Sequence, residues 1–150
     1  MPRAPFQVLI FPWRLREDGG FEYAVFKRSD QGFWQGLSGG GEDVETPIEA
    51  ARRECGEEAC IPEDAEFIEL DTTAHIPAHI FAGHEKWGKD TYVIPEYSFG
   101  VDFSDEDIEL SAEHSEYRWV SLEEAHRLLK HDSNKTAIWE LEQRLKRLGE

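Results

Sequence analysis

Residues Gly39–Ile61 read GGGEDVETPIEAARRECGEEACI. The signals for a helix start converge inside this stretch. Thr46 is a candidate N-cap, Pro47 suits the first helical position, and Glu49 completes a capping box with Thr46. Ile48, Ala51, Cys55 and Ala59 then form an apolar stripe at helical spacing, which should face a core. Glu54, Glu57 and Glu58 fall at i, i+3 and i+4 on a neighbouring face, with Ala50 leaving space beside them. Like charges at that spacing cost about 0.2–0.5 kcal/mol per pair. Either the acidic face is a solvated surface, or something positive belongs between the carboxylates. Pro62 marks the end of the helix.

Upstream, Phe6–Phe11 (FQVLIF) is an apolar run closed by Pro12 and reads as a strand. Gly19–Gly20 signals a turn, and Phe21–Arg28 (FEYAVFKR) reads as the second strand of a hairpin. SDQGFWQGLSGGGED, residues 29–43, reads as a loop rich in glycine. Downstream, EFIEL (66–70) is a strand and HIPAHIFAG (75–83) a candidate strand. HEKWGKD (84–90) is a polar loop. TYVIPEYSFGV (91–101) is a strand in which Pro95 suggests an edge or a bulge, and EYRWV (116–120) is a short strand. SLEEAHRLLK (121–130) is a helix with Ser121 and Glu124 as a capping box. NKTAIWELEQRLKRLGE (134–150) is an amphipathic helix with Ile138, Leu141, Leu145 and Leu148 as its apolar line. The pattern is mixed α/β, with helices covering a sheet.

The chain has 150 residues, enough for one domain with a real core, so residues 1–150 are expected to form a single domain. Hydrophobic residues make up 39% and aromatics 12%, which argues against disorder. The net charge of −16 repels nucleic-acid phosphates, so general nucleic-acid binding is not expected. A phosphate-bearing substrate would be repelled too, unless local cations reverse the field. Lys86, Lys89 and Arg118 are candidates for that role. Cys55 and Cys60 lie in or beside one helix, a poor disulfide geometry. MPRAPFQVLIFPW carries too short an apolar run for a secretory leader, and no stretch approaches a membrane span. A reducing cytoplasm is the expected location, and no membrane partner is expected. His75 and His79 flank Pro77, which spoils a helical zinc pair.

The segment Gly39–Ile61 resembles the Nudix box, G-x5-E-x7-R-E-U-x-E-E-x-G-U, where U is bulky and apolar. Gly39, Glu45, Arg53, Glu54, Glu57, Glu58 and Ile61 fall in register. Cys60 stands in place of the last glycine, and Cys55 is a small stand-in at the first U. The resemblance implies a mixed β-sheet sandwiched between α-helices, with the box as loop–helix–loop. It implies hydrolysis of a nucleoside diphosphate linked to another group, with Mg²⁺ as cofactor and Mn²⁺ able to substitute. Mg²⁺ binds through a few carboxylates, waters and substrate phosphates, so a comb of glutamates suits it, and the ion relieves their mutual repulsion. By the same resemblance Glu54, Glu57 and Glu58 are metal ligands, with the carbonyl of Gly39 and one further carboxylate, Glu113 or Glu116. Glu113 is preferred on the match of its Glu-His segment. Arg53 orients the catalytic carboxylates Glu54 and Glu57, and Glu45 braces the loop–helix junction.

The likeness extends to RSDQGFWQGLSGGGEDVETPIEAARRECGEEACI and AEHSEYRWVSLEEAHRLLKHDSNKTAI, which resemble the dihydroneopterin triphosphate pyrophosphatase, or dATP pyrophosphohydrolase, group. Members carry an aromatic-Trp-Gln loop, Phe33–Trp34–Gln35 here, and tend to lack the last box glycine. Val44, Ser38 and Leu37 depart from the usual pattern without removing a carboxylate, and the match is loose from Glu63 to Asp107. Arg28 is a candidate phosphate contact or a surface arginine. Trp34 stacks on a substrate ring or packs, and Gln35 reaches the metal site or the substrate. The implied reaction takes a (deoxy)nucleoside or pterin triphosphate to the monophosphate and pyrophosphate. The alternatives are a dinucleoside polyphosphate, nucleotide-sugar or oxidised-nucleotide hydrolase, and a non-catalytic nucleotide-binding module. The oligomeric state, monomer or homodimer, stays open.

Overall fold

Strand β1 runs from Arg3 to Leu15, straight through the proline expected to close it. A computed structural model describes residues 3–104 and 114–149, and β1 is the axis of its seven-stranded sheet. On one edge β1 pairs antiparallel with β4 (Leu37–Glu42) up to Ile10, and with β2 (Phe21–Arg28) from Trp13 onward. Pro12 falls in the gap between these partners, where a missing N–H costs no ladder bond on that edge. On its other edge β1 runs parallel to β6 (Val93–Asp102), from Gln7↔Glu96 to Trp13↔Asp102. β5 (Phe67–Pro77) pairs with β6, β3 (Trp34–Gln35) with β2, and β7 (His114–Val120) with the other edge of β2.

Three other expectations are corrected. The 29–43 segment is not all loop: it contains β3 and β4. EFIEL and the start of HIPAHIFAG form one strand, β5, followed by a short 3-10 turn over Ala78–Ile80. β6 lies inside the sheet although it contains Pro95; pairing with β1 begins only at Glu96, so Pro95 sits where that side is open.

The sheet is covered on both faces. Alternation along β1 sends Val8 and Ile10 to one face and Leu9 and Phe11 to the other. The first face packs on α1 (Pro47–Ala59), through Ala50, Ala51, Cys55 and Ala59. The second packs on α2 (Leu122–Leu128) and α3 (Asp132–Leu148), through Ala125, Ala137, Ile138, Leu141 and Leu145. Leu148, expected on the α3 stripe, is 73% exposed, because the helix outruns the sheet in its last turn. No helix among the described residues is long and apolar enough to cross a membrane.

The ends of α1 follow local rules. Thr46 Oγ1 accepts from the Glu49 N–H, and a Glu49 carboxylate oxygen accepts from the Thr46 N–H at 2.8 Å. At the far end Cys60 adopts φ 55°, the left-handed region that normally takes glycine. Its N–H donates to the Gly56 carbonyl, and the Ile61 N–H donates to the Cys55 carbonyl. The turn therefore keeps the geometry of the missing glycine at a cost. Cys60→Gly is expected to stabilise the protein by ~0.5–1 kcal/mol, read as a thermal midpoint higher by about 1–4 °C. An unchanged or lower midpoint would show that the turn is not strained.

Candidate active site

β4 carries three consecutive glycines, a weak strand sequence, and each meets a side chain from elsewhere. A Cβ on Gly39 would lie 2.1 Å from the Glu54 carboxyl carbon, one on Gly40 would meet the Arg3 guanidinium at 2.5 Å, and one on Gly41 would meet the Phe6 ring at 2.1 Å. The run therefore lets α1 and the start of β1 close onto the strand. It seats Glu54 directly against the backbone of Gly39.

Arg53 organises the acidic helix face. Its Nε and Nη2 donate to both carboxylate oxygens of Glu45, at 2.8 and 3.0 Å. Nη1 donates to Glu54 at 3.0 Å and to Glu57 at 3.3 Å, and Nη2 also donates to the Gly40 carbonyl at 2.9 Å. The Glu42 carboxylate lies 3.6 Å away. A bidentate arginine–carboxylate pair fixes geometry as well as charge. The hydrogen bonds from Arg53 hold the Glu45 carboxyl below the ordinary carboxylate range. Those to Glu45 likewise raise the guanidinium. Glu45 also accepts from the Glu42 N–H at 2.8 Å, tying the end of β4 to α1.

The three helix glutamates are not equivalent. The Glu57 side chain is 59% exposed, Glu54 is largely covered, and Glu58 as a whole is 3% exposed. Among the described residues no three His, Cys, Asp or Glu side chains converge as a ready-made metal centre. In this arrangement Arg53 draws Glu54 and Glu57 toward itself. The donor set still suits a hard divalent cation. Glu54 and Glu58 lie one turn apart, and Gly39 leaves the space in which the Glu54 carboxyl sits. Glu113 lies outside the described residues. Glu116 is on β7, 3.9 Å from Lys27 Nζ and 3.8 Å from Arg118 Nε.

One hollow meets this face at Glu54, and a second shares part of its wall. A cleft of about 560 Å³ is bounded by Arg3, Gln7, Arg28, Ser38, Gly39 and Glu54. A deeper cavity of about 610 Å³ shares Gln7, Arg28 and Ser38 with it, and extends past Gln35, His75 and Glu96 to the start of α3. Arg28 thus stands between the two, its guanidinium donating to Asp30 at 3.0 and 2.8 Å. Gln35 lines the deeper cavity and donates to Ser38 Oγ at 3.3 Å.

Trp34 does not line either hollow. It packs on the α2–α3 cluster, with the Arg118 guanidinium 5.0 Å from its ring centre. Packing is the reading its position supports. Lys86, Lys89 and Arg118 do not line the cleft either. Its cations are Arg3 and Arg28. Arg3 was not singled out in the sequence: it lies on the Phe81 ring, 4.5 Å from the centre, and donates to Gln7. Gln7 and Glu96 were missed as well. The signal for Glu96 was a lone acidic residue in an otherwise apolar and aromatic strand.

Gly39→Ala tests the contact between β4 and Glu54. The added methyl must push the carboxyl away from its place between Gly39 and Arg53. We expect a drop in kcat on the order of 10²-fold, the scale of a displacement of about 1 Å at a reacting centre, with only a small change in thermal midpoint. Unchanged kcat would show that Glu54 need not stand there.

The NUDIX domain model matches residues 9–140, which include the whole acidic helix and its flanking strands. The chain belongs to the Nudix family. It is a Nudix hydrolase, an enzyme of phosphoanhydride cleavage. A crystal structure of a candidate NUDIX hydrolase from Listeria monocytogenes is 43% identical, with a TM-score of 0.87 and 97% of each chain covered. The E. coli dihydroneopterin triphosphate pyrophosphohydrolase is 25% identical, with a TM-score of 0.75, over 96% of this chain and 99% of that one. A C. elegans Ap4A hydrolase shares the fold at 18% identity and a TM-score of 0.73, over 95% and 98% of the two chains. No curated protein was found to match in sequence.

Proposed function

We propose that this protein is a Mg²⁺-dependent pyrophosphohydrolase that cleaves a (deoxy)nucleoside or pterin triphosphate to the monophosphate and pyrophosphate. The observation that carries this is spatial. Glu54, held by Arg53, opens onto a cleft bearing Arg3 and Arg28, and that cleft shares its wall with a cavity of about 610 Å³. Such a volume is in the range of ligand pockets, roughly 300–1,000 Å³, and takes one heterocycle with its sugar or side chain. The heterocycle lies in the cavity and the phosphates in the cleft. Arg28, at the junction, and Arg3 meet phosphate oxygens and locally reverse the field of a chain with net charge −16.

Glu54 and Glu58, with Glu57, the Gly39 carbonyl and Glu113, would hold magnesium, and Mn²⁺ is expected to substitute. When bound, the ion supplies charge neutralisation of the phosphates, polarisation of the phosphoanhydride and activation of water. Arg53 sets the orientation of Glu54 and Glu57, and Glu45 sets that of Arg53. The relation to the E. coli dihydroneopterin triphosphate pyrophosphohydrolase supports the triphosphate reading.

The test is a substrate panel with Mg²⁺ containing dihydroneopterin triphosphate, dATP and diadenosine tetraphosphate, with the products identified. Pyrophosphate and a monophosphate from a triphosphate are expected. Release of ATP from diadenosine tetraphosphate as the dominant activity would replace this reading with a dinucleoside polyphosphate hydrolase. Tight binding without turnover would replace it with a binding module.

A further inference from the structure

The deeper cavity contains a group that phosphate chemistry does not use. Glu96, on β6, is 7% exposed and lines the deeper cavity, to which the acidic helix contributes no residue. Among the described residues nothing donates to its carboxyl. Burial alone pushes its pKa up to about 7. Several neighbouring polar atoms are already committed, although the Gln7 amide NH2, opposite Glu96 in the strand pairing, is not among them. Asn134 Oδ1 accepts from the Gly36 N–H at 2.9 Å, Gln35 donates to Ser38, and Gln7 accepts from Arg3. These bonds fix the walls and leave the Glu96 carboxyl as the buried acceptor facing the cavity. A buried carboxyl with no donor costs several kcal/mol in its ionised form, so its presence there points to a ligand that supplies donors.

We propose that Glu96 reads the heterocycle of the substrate, and selects one with two adjacent N–H donors: a ring N–H beside an exocyclic amino group, as in guanine or a pterin. This rests on the triphosphate hydrolase reading and narrows it. A carboxylate presents two acceptor oxygens in one plane, which match such an edge with two parallel hydrogen bonds. Adenine presents a donor beside an acceptor, so one oxygen of the ionised carboxylate would face a ring-nitrogen lone pair. The protonated acid would fit adenine, so the discrimination against dATP is expected above about pH 7 and should fade below it. The flanks of Phe33, Ile76 and Phe81 keep water away and raise the cost of that mismatch.

The experiment compares kcat/KM for dGTP, dITP and dATP with Mg²⁺, in the wild type and in Glu96→Gln. dITP differs from dGTP only by the missing amino group. The wild type is expected to favour dGTP over dITP by roughly tenfold or more, the scale of one hydrogen bond to a buried charged partner. Glu96→Gln should abolish the dGTP-over-dITP difference and bring dATP level with dGTP, because a glutamine offers one donor and one acceptor. Equal handling of dGTP and dITP by the wild type would overturn the proposal. So would a uniform loss on all three substrates in a variant whose thermal midpoint is unchanged. If the variant does not fold, the wild-type ratio decides. If the wild type hydrolyses none of them and dihydroneopterin triphosphate is not cleaved either, the triphosphate reading fails. The Glu96 reading is then decided by calorimetric Kd ratios for the α,β-methylene analogues of the same three nucleotides.

Discussion

Glu58→Gln is expected to lower Mg²⁺-dependent kcat/KM on the order of 10³-fold, about 4 kcal/mol, while leaving the fold as stable as before or more so. The two halves have one cause. Glu58 is 3% exposed on α1, and an ionised carboxylate taken out of water is costly to the fold. Glutamine keeps the volume and removes the charge, so folding loses little. What is lost is a hard oxygen ligand at a place where a divalent cation is to be held. The opposite signs separate this reading from a structural one, in which activity and thermal midpoint would fall together. Added Mg²⁺ should raise the wild-type midpoint through binding to the native state, and raise that of Glu58→Gln much less. Glu57→Gln, at the exposed end of the same face, is expected to lose turnover with almost no change in stability. Full Mg²⁺-dependent turnover in either variant would remove the metal-ligand assignment.

The parts of this fold legible in the sequence are those decided by neighbours along the chain. The start of α1 was readable because Thr46, Pro47 and Glu49 satisfy orphan backbone groups within one turn. β2 was readable because its alternation and the Gly19–Gly20 turn are local. β4 was not. Gly39, Gly40 and Gly41 argue against a strand by propensity, and what makes them a strand is close approach by Glu54, Arg3 and Phe6. Pro12 and Pro95 misled for the same reason. A proline is tolerated where a neighbouring strand stops, and that place is known only once the pairing is. The apolar line of α3 overran to Leu148 because periodicity says nothing of where the sheet beneath ends.

The candidate site divides the same way. Arg53, Glu54, Glu57 and Glu58 share one helix, so their spacing alone brings them together. Gly39 and Glu45 could be placed by resemblance. The opposite wall needs β1 beside β6 in parallel, a long-range pairing that sets Gln7 next to Glu96. No local pattern carries it. Of the cations expected to offset the acidic charge, Lys86, Lys89 and Arg118 stand away from the cleft, while Arg28, expected as a phosphate contact, lines it. Both cations of the cleft stand at strand ends, Arg28 on β2 and Arg3 on β1, and only Arg3 lacked a signal in the sequence.

Arg53→Ala is expected to damage stability and catalysis together, and its pH dependence should identify the cause. The side chain is 22% exposed and donates to Glu45, Glu54, Glu57 and the Gly40 carbonyl. Removing it leaves the partly covered carboxylates of Glu45 and Glu54 facing one another across the vacated space. Breaking such a network by deleting one partner costs roughly 3–5 kcal/mol when fully buried, so ~2–3 kcal/mol is expected at this exposure, with kcat lower by ~10²-fold or more through misplaced Glu54 and Glu57. In the wild type the folded Glu45 carboxyl titrates below its unfolded value, because of Arg53. Its contribution to stability is therefore fully present above the ordinary carboxylate range, and is lost as pH falls through the depressed value. In Arg53→Ala the Glu45 carboxyl should return toward or above that range. The stability deficit should then be largest near neutral pH and shrink on acidification, as the facing carboxylates are protonated. Arg53→Lys keeps the charge but not the fork, so it should recover part of the stability and little of the kcat. A deficit independent of pH, or full activity in the lysine variant, would mean that Arg53 fills space and does not position the carboxylates.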